Sequence, residues 1–186
     1  MKAARREGAF FLDRDGVINE PPGKKRYVTR WAEFRFLPGS LKALRRLGTD
    51  GRKVVVLSNQ AGVGRRLMSR AQLDLITRRM RVAVRRAGGR VDAVYYCIHR
   101  PEAACRCRKP KTGMIRRACR ELRIDPKRSF LVGDNATDIQ MGRSAGCRTV
   151  LVLSGVSSRA DARRMPAPPQ RIAKNLHAAL PWILRK

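Results

Sequence analysis

Acidic residues are scarce in this chain of 186 residues: 14 aspartates and glutamates face 43 lysines and arginines, a formal net charge of +29. Aromatic residues are few as well, at 5%, and there are only two histidines. The shortage of rings leaves the basic residues without the interleaved stacking platforms that single-strand binders use. The arginines are also spread along the whole chain, with Arg45, Arg46, Arg78, Arg79, Arg85 and Arg86 on the solvent side of expected helices. Such a field suits the steering of phosphorylated ligands at least as well as it suits nucleic acid. No apolar run approaches the ~20 residues that a membrane span needs. Residues 1–8 are basic and lead only into a short apolar stretch, 9–12, which is no signal-peptide core. The expectation is a cytoplasmic enzyme, monomeric and without a membrane partner. Its length and a hydrophobic content of 43% fit one domain over 1–186, with a basic extension at 1–8 and a small accessory loop.

With acids so rare, two of them in one apolar context stand out. Phe10-Phe11-Leu12-Asp13-Arg14-Asp15-Gly16-Val17 delivers two carboxylates at i and i+2 onto a turn marked by Gly16. Residues two apart in extended chain share a face, so Asp13 and Asp15 point into one small space. Like charges so close push each other's pKa apart unless a cation intervenes. The usual solutions are a metal ion, or a division of labour between nucleophile and acid/base. The competing reading is an ordinary strand-to-turn junction, where Asp is simply a good turn residue.

The rest of the chain alternates strand and helix. Strands are expected at 53–57, 91–96, 129–132 and 148–153, and helices at 40–47, from Ser69 to the stop at Gly88-Gly89, at 112–122, at 137–145 and around 176–180. This order argues for an α/β fold whose mainly parallel sheet is covered on both faces. Ligands of such sheets bind outside the carboxyl ends of the strands. Asp13/Asp15, Ser58-Asn59 and Gly133-Asp134 all fall at such ends.

Cys97-Ile98-His99 and Cys105-Arg106-Cys107 place four metal-type ligands within eleven residues. Four Cys/His side chains complete a tetrahedral zinc shell with no open position, which is the structural arrangement. A disulfide would need an exported protein, and nothing indicates export. Cys119 and Cys147 read as buried small hydrophobes. Directly after the cluster, Arg108-Lys109-Pro110-Lys111 brings cations, and Lys109 is the candidate to neutralise a phosphoryl group and the two Asp charges.

Four motifs in order, Asp13-Arg14-Asp15-Gly16-Val17, Ser58-Asn59-Gln60, Arg108-Lys109-Pro110 and Gly133-Asp134-Asn135-Ala136-Thr137-Asp138, resemble the haloacid dehalogenase superfamily of phosphotransferases. Together with Tyr95-Tyr96-Cys97-Ile98-His99-Arg100-Pro101, they resemble most its D-glycero-D-manno-heptose-1,7-bisphosphate 7-phosphatase family, a relative of the histidinol-phosphatase domain. The resemblance implies a capless, Rossmann-like three-layer α/β/α sandwich in which loop 19–36 and the zinc loop 97–107 shape the pocket. It implies that Asp13 attacks phosphorus and that Asp15 protonates the leaving oxygen and then activates water. Magnesium would be held by Asp13, the backbone carbonyl of Asp15 and Asp134. Ser58 and Lys109 would bind the transferring phosphoryl group, with Asn19, Tyr27, Asn59, Gln60 and Arg108 as further substrate contacts. Lys24, Lys25 and Arg26 would receive a second phosphate of a small phosphorylated sugar. Asn135 stands where relatives often carry Lys, Arg or Ser, which leaves its side chain without an assigned role. Histidinol phosphate is the alternative substrate, and a polynucleotide 3′-phosphatase or a nucleic-acid binder is the alternative from another class.

Overall fold

Phe10, Phe11 and Leu12 are all fully buried although neighbours in a strand face opposite ways. Only a sheet covered on both faces accommodates that, and the computed structural model, which describes residues 7–23 and 27–185, has one. Lys24, Lys25 and Arg26, expected to meet a second phosphate, and most of the basic extension lie outside the described residues. The strands are β1 (Ala9–Leu12), β2 (Lys53–Asn59), β3 (Ala93–Cys97), β4 (Phe130–Gly133), β5 (Arg148–Val152) and β6 (Arg171–Ala173). The helices are α1 (Ser40–Gly48), α2 (Arg70–Arg86), α3 (Gly113–Glu121), α4 (Ala136–Ser144), α5 (Arg159–Arg164) and α6 (Leu176–Ile183). All strand pairings are parallel, in the order β3-β2-β1-β4-β5-β6.

Alternation along the strands divides the core. Phe10, Leu12, Val54, Val56 and Val132 pack with Leu44, Ile76, Met80 and Leu180, so α1, α2 and α6 cover one face. Phe11, Val55, Leu57 and Leu131 pack with Met114, Ile115, Ala118 and Met141, so α3 and α4 cover the other. Each of these side chains larger than alanine contributes about 1.5–3 kcal/mol of transfer free energy when fully buried. Cys119 and Cys147 are buried in the second cluster, as small hydrophobes should be. Strand β1 lies between β2 and β4. Its exit therefore opens where the sheet connections diverge, with the β2 and β4 exits on either side.

The architecture matches the expected sandwich, and the departures are local. The third strand begins at Ala93 rather than Val91, because Asp92 uses its carboxylate to accept from Val54 N–H (2.7 Å) before regular pairing starts. A short helix, α5, follows β5 at a place for which no element was expected, started by a reciprocal Ser158–Asp161 capping box. Helix α6 continues past Leu180 and tolerates Pro181 near its end. Among the described residues no helix is long and apolar enough to cross a membrane.

Candidate active site

Asp13 leaves β1 with its N–H donating to Val132 O (2.9 Å), so the first residue of the loop is still tied to β4. The chain then turns at Gly16, whose φ of 80° is open to glycine, and closes through Gly16 N–H to Asn19 O (2.7 Å). This turn separates the fates of the two carboxylates. Asp13 Oδ1 accepts from Arg14 N–H (2.6 Å) and pairs with Lys109 Nζ (2.9 Å). The same Nζ lies 2.6 Å from Asp138 Oδ1, so one buried cation bridges two acids. Lys109 arrives from the segment after the Cys/His cluster, and its own N–H donates to Asn59 Oδ1 at the end of β2 (3.2 Å).

Asp15 is held from behind. Its Oδ1 accepts from Arg14 Nε (3.1 Å), Arg14 Nη2 (2.9 Å) and Asn19 Nδ2 (2.8 Å). Its Oδ2 accepts from Gln60 Nε2 (2.8 Å) and Arg14 Nη2 (3.0 Å). Arg14 is wholly buried, its guanidinium 6.0 Å from the ring centres of both Phe34 and Tyr96. Asn19 and Gln60 are also wholly buried. The structure thus places these two expected substrate contacts on Asp15, with Gln60 also reaching Ser58 Oγ (3.1 Å).

Asp134 closes the third side. Its Oδ2 accepts from Val156 N–H (2.9 Å) in the loop after β5, and its carboxylate fits between Gly16 and Gly155. A β-carbon at either glycine would collide with that carboxylate. Oxygens of Asp13, Asp134 and Asp138 lie within 4.8 Å of one another. Burial, with help from Asp138 and Asp15, outweighs Lys109 and pushes Asp13 up to about 6. Burial followed by the charges of Asp13 and Asp138 pushes Asp134 up to about 8. Burial alone would lower Lys109, but Asp13 and Asp138 reverse this and hold it above its ordinary value. Three crowded hard oxygen donors in need of positive charge fit a magnesium ion.

These groups open into a cavity of about 390 Å³ lined by Asp13, Asp15, Ser58, Asn59, Lys109 and Asp134, with Pro21, Pro22 and Gly23 as one wall. A cavity of about 420 Å³ beside α3, lined by Ile115, Arg116, Cys119 and Pro126 among others, brings no carboxylate together. Tyr27 and Arg108 are not brought to the lining of the strand-end cavity. Tyr27 packs its ring against Gly62, and Arg108 is half-buried with Nη1 lacking a hydrogen-bond partner among the described residues.

Cys97, His99, Cys105 and Cys107 converge, their ligand atoms within 4.8 Å of one another. Cys97 Sγ to Cys105 Sγ is 3.5 Å, Cys105 Sγ to Cys107 Sγ 3.4 Å, and His99 Nδ1 to Cys107 Sγ 3.2 Å. A disulfide needs about 2.05 Å, and the cysteines are free. A tetrahedral ion about 2.3 Å from sulfur sets its sulfur ligands roughly 3.8 Å apart, close to what is found. The cluster is fastened to the loop after β2 by Gly64 N–H to Ile98 O (3.0 Å) and Arg100 Nε to Gly64 O (2.7 Å).

Sequence reasoning left three site residues without a role. Asp138 was part of a motif, yet its pairing with Lys109 shows only in three dimensions. Its second role was legible, since Asn135 and Asp138 form a reciprocal capping box that starts α4. This also gives Asn135 its function as the cap, accepting from Thr137 N–H (3.2 Å). Arg14 carried no signal beyond its place between two acids.

An acid held by two amides and a guanidinium, facing a carboxylate paired to a buried lysine at parallel strand ends, is a phosphoryl-transfer site of the haloacid dehalogenase type. The comparisons agree. Residues 106–179 match the family model described as HAD-hydrolase-like. The chain is 39% identical over 163 residues to the D-glycero-beta-D-manno-heptose-1,7-bisphosphate 7-phosphatase of Pasteurella multocida, covering 84% of this chain and 87% of that one. It is 37% identical over 188 residues to the D-glycero-D-manno-heptose-1,7-bisphosphate 7-phosphatase of Thermosynechococcus vestitus, covering 94% of each. The crystal structure of the D,D-heptose 1,7-bisphosphate phosphatase of B. bronchiseptica, complexed with magnesium and phosphate, superposes with a TM-score of 0.87 at 36% identity, covering 95% of this chain and 98% of that one. The chain belongs to the D-glycero-D-manno-heptose-1,7-bisphosphate 7-phosphatase family of haloacid dehalogenase-like hydrolases, and is a phosphoric monoester hydrolase.

Proposed function

We propose that the protein removes the 7-phosphate of D-glycero-D-manno-heptose 1,7-bisphosphate, leaving the 1-phosphate, through a phosphoaspartate formed on Asp13. The observation that carries this is the division of labour between the acids: Asp13 is bridged to Lys109, and Asp15 is bound by Arg14, Asn19 and Gln60. Both bonds to Asp13 fall on Oδ1, which leaves Oδ2 to attack phosphorus. Lys109 neutralises the incoming phosphoryl oxygens, and Ser58 and Asn59 bind alongside it at the end of β2. Asp15 Oδ2, the less engaged of its two oxygens, carries the proton that passes to the sugar oxygen as the ester bond breaks. The resulting Asp15 carboxylate then takes a proton from the water that attacks the phosphoaspartate, releasing phosphate and restoring Asp13.

Asp13, the backbone carbonyl of Asp15 and Asp134 would hold magnesium, which when bound supplies the positive charge that lets a carboxylate approach a phosphate dianion. Cys97, His99, Cys105 and Cys107 would hold a structural zinc that fixes the segment delivering Arg108 and Lys109. In this reading Arg108 contacts the substrate beyond the transferred phosphate, and Lys24, Lys25 and Arg26 meet the second one. The heptose substrate is favoured by the 36–39% identical relatives named for it and by a cavity lining without aromatic residues.

The test is phosphate release in magnesium from heptose 1,7-bisphosphate, histidinol phosphate and 3′-phosphorylated DNA, with Asp13→Asn as the inactive control. The bisphosphate should be turned over best by the wild-type protein, and by the variant not at all. Preferential turnover of histidinol phosphate or of the DNA would replace the substrate. Undiminished turnover by a folded Asp13→Asn protein would refute the mechanism.

A further inference from the structure

The reaction leaves most of the positive charge unexplained, and one part of it is concentrated. Helix α2 carries Arg78, Arg79, Arg81, Arg85 and Arg86 over its last three turns, all exposed and none with an acidic partner among the described residues. The one acid on the helix, Asp74, is already paired with Arg70 (3.0 Å). Arg81 and Arg85 stand four apart and repel each other, a modest cost to the helix that an anionic ligand would remove. A cavity flanks the helix on each side. One, of about 420 Å³, is lined by Arg78, Arg79 and Arg86 together with Trp31. The other, of about 260 Å³, is lined by Arg81, Arg85 and Arg90. The Trp31 ring is held in place by stacking on Phe34, with centroids 5.0 Å apart. Folding thus sets beside these arginines the aromatic surface that the sequence order keeps 47 residues away from Arg78.

We propose that the exposed face of α2, with Trp31 at its side, is a docking surface for single-stranded nucleic acid, separate from the catalytic cavity. Guanidinium forks match phosphate oxygens two at a time. Arg78 to Arg86 spans about 12 Å of helix, enough to follow several phosphates, and a fixed indole offers a stacking face for one base. An anionic membrane fits less well. The apolar stripe of α2, Leu73, Ile76, Met80 and Val84, is buried against the sheet, and Leu75 is the one large apolar side chain its described residues leave exposed, too little to anchor the helix in lipid. Because α2 connects two parallel strands, it runs back from their carboxyl ends. Its arginine-bearing half therefore lies away from Asp13, and a bound strand leaves the catalytic cavity open.

The experiment measures binding of a fluorescein-labelled single-stranded oligonucleotide to the full chain by anisotropy between about 50 and 200 mM salt. Two variants are compared, each losing five charges: R78Q/R79Q/R81Q/R85Q/R86Q on α2, and R116Q/R120Q/R143Q/R159Q/R163Q elsewhere on the surface. The α2 variant should bind at least about tenfold more weakly, with a salt slope smaller by roughly 0.7 for each phosphate no longer neutralised, while phosphatase activity is unchanged. The scattered variant should bind like the wild type. Tryptophan emission should be quenched on binding, and Trp31→Phe should abolish the change. Equal losses in the two variants would reduce the binding to net charge and overturn the proposal. So would unquenched Trp31 emission, tighter binding to phosphatidylserine vesicles than to the oligonucleotide, or no binding at all.

Discussion

Replacing Arg14 by Met should separate proton delivery from nucleophilic attack. The guanidinium supplies two nitrogens to Asp15, both within 3.1 Å, and is wholly buried between Phe34 and Tyr96. Methionine keeps the length and the packing but leaves Asp15 with only Asn19 and Gln60. Breaking a buried ion pair from one side costs about 3–5 kcal/mol. At about 2–4 °C per kcal/mol for a chain of this size, the melting temperature should fall by roughly 6–20 °C. Well below that temperature the folded variant can be assayed with two esters. Heptose bisphosphate has a poor leaving group, and its kcat should fall by about 10²–10⁴, the usual worth of a positioned acid. p-Nitrophenyl phosphate needs no proton on its leaving oxygen, so its first turnover should proceed nearly as in the wild type. A burst of nitrophenol followed by a slow steady state would then report the missing base in the second step. Equal losses on both esters in the first turnover would mean that Arg14 supports the fold and not the placement of Asp15. An unchanged melting temperature would contradict the burial argument itself.

Gln60→Leu, which removes one of the two donors to Asp15 Oδ2, should show the same ester selectivity in weaker form, measured in the same stopped-flow assay. Protein purified under reducing conditions should hold about one zinc per chain by elemental analysis, and its removal should raise KM before the core unfolds, because Lys109 follows the cluster directly; zinc-free protein of full activity would refute this. Metal-free protein should lose stability as pH rises. Asp13 and Asp134 titrate higher in the folded state, at about 6 and about 8 against an ordinary 3.8, so the folded chain binds more protons than the unfolded one across that window. The slope approaches about 1.4 kcal/mol per pH unit for each proton, steepest where both groups contribute, and added magnesium should flatten it; a flat profile in chelator would overturn the assignment. Asn135→Ala should cost about 0.5–2 kcal/mol as a lost cap in thermal melts, and substantially impaired substrate binding by the folded protein would show that Asn135 does more than start α4.

The positions of the acids at strand ends were legible because the strands are buried on both faces and read as uninterrupted apolar runs. The polar residues that follow them are therefore conspicuous, and Asp13, Ser58 and Asp134 were found that way. The Cys/His cluster was legible for a different reason, since four ligand-type residues in eleven positions need no knowledge of the fold. What stayed illegible was anything decided by distant packing. Arg14 reads like any of the chain's many arginines until Phe34 and Tyr96 enclose it, and nothing local to Asn19 and Gln60 reveals that both donate to Asp15. Trp31 and the arginines of α2 likewise meet only through the fold. The α5 cap was present as Ser158 and Asp161, but six helical residues give too little periodicity to register.

The seat of Asp134 between Gly16 and Gly155 restricts how this protein can be re-engineered. Three loops that follow three different strands touch at that point with no room for a single added methyl. A loop transplanted from a relative with an altered backbone path at any one of them would displace the carboxylate rather than retune the pocket. Exchange of the three loops as one cassette should succeed where piecemeal grafts fail. Libraries meant to change substrate choice should instead diversify Pro21, Pro22 and Gly23, which form a cavity wall but take no part in that interlock.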